Sequence, residues 1–142
     1  MNQSRSLPSI LPTHLWLVLM IYVIASLMHF VHNAEFIGFY PNMPSWITRQ
    51  TVYYAWLVVS AIGVLAITCM ALGLRVIGIV VLMAYGATGF DGLGHYALAL
   101  CSQHSFTQNF TIWFEVITGA LLLVMAARQL PHRHSSSRVG CR

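Results

Sequence analysis

Four long apolar runs, 15–36, 51–74, 76–100 and 110–127, follow one another along the chain with only short polar interruptions. An α-helix rises about 1.5 Å per residue, and about 20 residues cross the roughly 30 Å of hydrocarbon in a bilayer. Each run therefore predicts a membrane-spanning helix. The first connection contains Pro41, Pro44 and Trp46, a composition suited to an ordered loop at a membrane interface, where Trp and Tyr collect. The second and third runs meet at a tight turn, "LGLR". The expected fold is an all-α membrane protein, a four-transmembrane-helix bundle filling residues 1–130, followed by a basic, disordered tail over 131–142.

Four crossings place both termini on one side of the membrane. Arg5, Arg75, Arg128, Arg133, Arg138 and Arg142 fall on that side, against Arg49 alone on the other. The positive-inside rule then makes the N and C termini cytoplasmic and the location a bacterial-type inner membrane, crossed several times. A cleaved signal peptide would be the alternative for the first run, but its apolar stretch exceeds signal-peptide length and lacks a clear small-x-small cleavage site.

Composition agrees with this pattern. The chain is 58% hydrophobic and 7% charged, whereas about a quarter of the residues of a soluble domain are charged. Its net charge of +4 comes from arginine alone, and four of the seven arginines lie in the last fifteen residues. A basic tail without interleaved aromatics argues against a nucleic-acid partner. Cys69, Cys101 and Cys141 show no CxxC spacing and imply no disulfide framework.

The polar residues inside the apolar runs change the picture more. The stretch "MHFVHNAEFIGFY", 28–40, closes the first run with His29, His32, Asn33 and Glu35. Asp91 and His95 occur in the third run, His104 in the connection after it, and Glu115 in the fourth. Counting about 1.5 Å per residue from the cytoplasmic ends, His29 lies roughly 22 Å up, Asp91 roughly 24 Å and Glu115 roughly 20 Å. All three acids of the chain, and four of its seven histidines, thus gather toward the outer end of the expected bundle.

Residues three and four apart share a helix face, so His29, His32 and Asn33 project together with Glu35 beside His32, and Asp91 pairs with His95. Polar side chains in membrane helices face the bundle interior. Such a group of imidazoles and carboxylates suits a transition-metal ion, Zn, Fe or Cu, with His29, His32, Asp91, His95, His104 and Glu115 as ligands and Glu35 as general base. A bound cation would also offset carboxylate charge that is costly near lipid.

The local pattern Asp91-x3-His95, followed by His104, resembles the Asp/His/His copper-binding motif in the C subunits of membrane-bound methane and ammonia monooxygenases. The resemblance covers residues 91–104 and implies copper ligation by Asp91, His95 and His104 only.

Three function classes follow. The first is a metal-dependent membrane enzyme, oxidative or hydrolytic, acting on a lipophilic or small substrate. No GxSxG or similar nucleophile motif offers a metal-free route. The second is a carrier of haem b, with His29 and His95 as axial ligands. The third is a non-enzymatic metal-handling or accessory subunit, in a homo-oligomer or a larger membrane complex. A transport path is disfavoured because the inner half of the spans offers little beyond Ser60, Thr68, Cys69 and Thr118.

Simpler roles exist for individual residues. His14, His132 and His134 suit interfacial anchoring or solvation, and Glu35 could be satisfied by Arg49. Gly86, Gly89, Gly92 and Gly94 could let helices approach closely or clear space for a cofactor. Tyr53 or Tyr96 could supply a hydroxyl to the site.

Overall fold

The computed structural model describes residues 10–130. Its elements are α1 (Thr13–Glu35), α2 (Arg49–Ala71), α3 (Arg75–Ala87), α4 (Gly94–Leu98) and α5 (Phe106–Ala127), with short 3₁₀ turns at Ile37–Phe39, Thr88–Leu93 and Cys101–Gln103. Four stretches are long and apolar enough to cross a membrane: α1, α2, Arg75–Leu98 and α5. Among the described residues the chain is thus all-helical, with four helices that could cross a membrane, as in a multi-pass membrane protein. The tail at 131–142, with Arg133, Arg138, Arg142, His132, His134 and Cys141, and Arg5 at the other end lie outside the described residues.

The outer surface is what a lipid solvent requires. Leu17, Val58, Val64, Ile77 and Ile117 are all exposed, and soluble monomers rarely display apolar patches on that scale. Each backbone polar group inside hydrocarbon must be paired within the protein, which is why the spans are helical.

Local chemistry sets the helix ends. Thr48 caps α2, its hydroxyl accepting from the Thr51 backbone N–H while the Thr51 hydroxyl accepts from the Thr48 N–H. Ser105 and Gln108 form the same reciprocal box at the start of α5. Such caps contribute about 1 kcal/mol each. At the other end of α2, Gly73 adopts φ +83°, where a side chain would be strained. Its N–H donates to the Met70 carbonyl and that of Leu74 to the Cys69 carbonyl, the Schellman pattern that turns the chain into α3.

The helices form a ring in which α1 packs on α2 and α5, and α3 packs on the same two helices. The half of the bundle nearer the two chain ends has a dry core of Leu15, Leu19, Leu82, Ile79, Leu122 and Ala126. Toward the other end, here called distal, the core becomes polar.

Two features set the geometry of that distal end. The first is the approach of α3 and its following turn to α5. A Cβ on Gly119 would stand 2.6 Å from the Gly86 carbonyl oxygen and 3.2 Å from the Gly89 Cα, so only hydrogen fits there. The second is a departure from the expected uninterrupted third helix: the segment Thr88–Leu93 is wound as 3₁₀. Tyr22 of α1, fully buried, anchors the start of that turn. Its hydroxyl donates to the Tyr85 carbonyl at 3.1 Å and lies 3.0 Å from the Thr88 hydroxyl.

Candidate functional site

Below the distal surface lies a cavity of about 500 Å³ bounded by α1, α2, α4 and the α1–α2 loop. Four residues singled out in the sequence line it: His29, Asp91, His95 and Glu115. Asn33 joins them.

His29 reaches this cavity because it follows Tyr22 and Ser26 along the buried face of α1. Glu115 reaches it because Gly119, one turn further along α5, lets that helix close against Gly86 and Gly89. Their side chains meet at 3.7 Å, His29 Nε2 to Glu115 Oε2, and both are almost wholly buried. His95 sits at the start of α4, its ring edge to face with that of His29 at a centroid separation of 5.4 Å. The Asn33 amide nitrogen donates to His95 Nε2 at 3.2 Å.

Several buried polar atoms here have no partner. They are both carboxylate oxygens of Glu115, Nδ1 of His29, Oδ1 of Asn33 and the Ser26 hydroxyl. An unpaired buried polar atom costs about 1–3 kcal/mol, and more for a charged group. Such atoms on facing α1 and α5, four of them on the cavity-lining His29, Asn33 and Glu115, are therefore the feature that asks for a functional account. Gly92 has Glu115 Oε2 only 3.8 Å from where its Cβ would stand, whereas a Cβ on Gly94 would meet open space. Both glycines line the cavity. Asp91, inside the 3₁₀ turn beside Gly92, is exposed and lines it too.

A second layer of aromatic chemistry lies above. Tyr40, buried in the α1–α2 loop, is 2.9 Å from His32 Nδ1 and packs against both His95 and His104 at centroid separations of 4.7 and 6.3 Å. Burial pushes the Tyr40 phenol up to about 12, so it keeps its proton throughout the range in which histidines titrate. The loop is pinned in place: the Asn42 amide donates to the Leu98 carbonyl, and the Gln108 amide to the Phe39 carbonyl. Asn42 takes φ 57°, a conformation that Asn tolerates better than most residues.

His104 Nδ1 donates to the Leu100 carbonyl at 3.0 Å, leaving Nε2 buried and unpaired. The three positions that resemble the copper motif do not converge. His95 and His104 stand with ring centroids 6.2 Å apart, and Tyr40 packs on both, while Asp91 faces the cavity below. Among the described residues no three His, Cys, Asp or Glu side chains are arranged to hold one ion between them as they stand.

Glu35 is placed away from this centre. Its carboxylate accepts from Arg49 at 2.7 Å and from the Tyr53 hydroxyl at 2.6 Å, on the exposed distal rim and outside the cavity lining. Tyr96 bonds the Asn109 side chain at 2.7 Å. Both tyrosines considered as hydroxyl donors are thus engaged elsewhere. Tyr40, which sequence reasoning passed over, stands among the histidines. Its only sequence signal was its place beside Pro41 in a Pro- and Trp-rich loop, which gave no direction for its ring.

No protein-family model, curated protein or solved structure matches this chain. The functional reading therefore stands on the site itself.

Proposed function

We propose that this chain is an inner-membrane enzyme, its termini cytoplasmic, that uses a transition-metal ion held at its distal end to act on a lipophilic substrate. The observation carrying the reading is Glu115: a carboxylate 1% exposed, neither oxygen hydrogen-bonded, 3.7 Å from the His29 imidazole and in one cavity lining with His95. In a low-dielectric interior such a group needs a proton or a cation.

The spacing favours the cation. Two ligands each about 2.1 Å from one ion at a tetrahedral angle stand about 3.4 Å apart. The His29–Glu115 separation of 3.7 Å is close to that value, and His95, whose ring packs on that of His29, is the candidate third donor. Asp91, open to the cavity, is the group placed to move a proton, the role that sequence reasoning gave to Glu35. A bound ion would supply Lewis-acid polarisation or an activated water. The haem alternative would require His29 and His95 to part from their direct edge-to-face contact. The arginine asymmetry across the spans supports the orientation.

Elemental analysis of the detergent-purified protein tests this reading. It should show about one equivalent of Zn, Fe or Cu, or take one up on reconstitution, since a closed multi-ligand site binds tightly. Under about a tenth of an equivalent of every transition metal, before and after reconstitution, would remove it.

A further inference from the structure

The lining of the cavity is mixed. Beside its polar part, apolar side chains form much of the wall: Phe30 from α1, Val52 and Val59 from α2, Trp46 and Ile47 from the loop above, and Leu98 from α4. Its volume lies in the roughly 300–1,000 Å³ range of sites for small organic ligands.

It also has a side mouth. α2 packs on α1 and α3, while the 3₁₀ turn that leads into α4 packs on α5, and α2 and α4 pack little on each other. Ala55 on α2 and Gly94 and Leu98 on α4 all line the cavity and are all exposed. Ala55 lies about 9 Å along α2 from Arg49, within the expected hydrocarbon of the distal leaflet. A ligand can therefore arrive sideways from the bilayer.

The polar part selects the head group. It holds Asp91 and Glu115, while the lining includes no arginine and the chain has no lysine. The nearby Arg49 is held by Glu35 on the rim. A divalent ion held there is balanced by these two carboxylates, so a fatty-acid carboxylate or a phospholipid phosphate would add a net negative charge, which is costly in a low-dielectric site. A neutral carbonyl or hydroxyl adds none and meets the side-chain amide of Asn33, which can both donate and accept.

We infer that the substrate is an uncharged lipophile with a single polar head, a long-chain or ring-bearing alcohol, aldehyde or ketone, which enters between α2 and α4 and sets its head against Asn33, beside the metal-holding His29 and His95. The inference rests on the reading of this cavity as the reaction chamber and names what fills it.

Native mass spectrometry of the full-length protein, released from a detergent without a dodecyl chain, reads metal and lipophile as separate mass increments. The probes are 1-dodecanol, 2-dodecanone and dodecanoate. Wild type should retain one equivalent of the alcohol or the ketone and at least tenfold less dodecanoate. Gly94→Phe, which projects a ring into the open space at the mouth, should lose the neutral probe at least tenfold and keep its metal. Dodecanoate retained as well as the neutral probes, or Gly94→Phe retaining them like wild type, would overturn the inference. Metal without either neutral probe would overturn it too, while leaving the metal reading intact. A neutral probe retained by a metal-free protein would support the cavity assignment and remove the metal reading.

Discussion

Replacing Glu115 by glutamine should lower metal affinity at least about tenfold while leaving the bundle folded, because the amide keeps the shape of the side chain but removes the anionic donor. The site predicts a larger loss for His29→Ala, which removes an imbedded imidazole directly facing that carboxylate. Glu35→Gln supplies the contrast. Its carboxylate is tied to Arg49 and Tyr53 on the rim, so metal binding should be unchanged. An exposed ion pair of that kind contributes about 0–1 kcal/mol, and stability should barely move. Equilibrium metal competition with a chromophoric chelator measures all three. Equal affinity in Glu115→Gln and wild type would mean that the carboxylate is not a ligand.

Gly119→Val should cost the fold about 3 kcal/mol, at the upper end of what overpacking a close-packed interior does. The first added carbon would already stand 2.6 Å from the Gly86 carbonyl and 3.1 Å from the Tyr22 ring. Backbone atoms cannot rotate aside as a flexible side chain can. α5 must move off α3, and Glu115, one turn away, moves with it. Thermal unfolding in detergent should show a clear loss of stability, with metal affinity falling alongside. Gly38→Ala is the control, since nothing lies within 4 Å of its new carbon. A Gly119→Val protein as stable as that control would refute the close α3–α5 contact.

Much of the fold was legible because apolarity over about 20 residues has few other meanings. The depth of the site was legible too. Helical rise alone places His29, Asp91 and Glu115 at similar heights, and all three line one cavity. Direction was harder to read. His29 and Asn33, four apart, do face the same way, toward Glu115 and His95, whereas His32 turns aside to Tyr40.

The cause lies in long-range contacts that a helix period does not encode. The α1–α2 loop folds back over the bundle because its Asn42 donates to the Leu98 carbonyl and Gln108 of α5 donates to its Phe39 carbonyl, and this brings Tyr40 among the histidines. The 3₁₀ turn at Thr88–Leu93 was announced only by a scatter of glycines around Asp91, which also had a packing explanation. The close helix approach holds at Gly86 and Gly89, where a Cβ would stand 2.8 and 3.0 Å from α5 backbone atoms, while Gly92 and Gly94 have room for one. Glu35 lies apart from the cavity for a simpler reason. It ends α1 beside the start of α2, within reach of Arg49 and Tyr53.

The central claim is that His29, His95 and Glu115 together hold one metal ion, and titration with Co²⁺ tests it most directly. The protein should take up one equivalent with visible d–d bands of a low-coordinate nitrogen and oxygen site; His95→Ala should abolish them and Glu35→Gln should preserve them. Bands of equal strength in His95→Ala and wild type, or no bands in any of the three proteins, would contradict the claim.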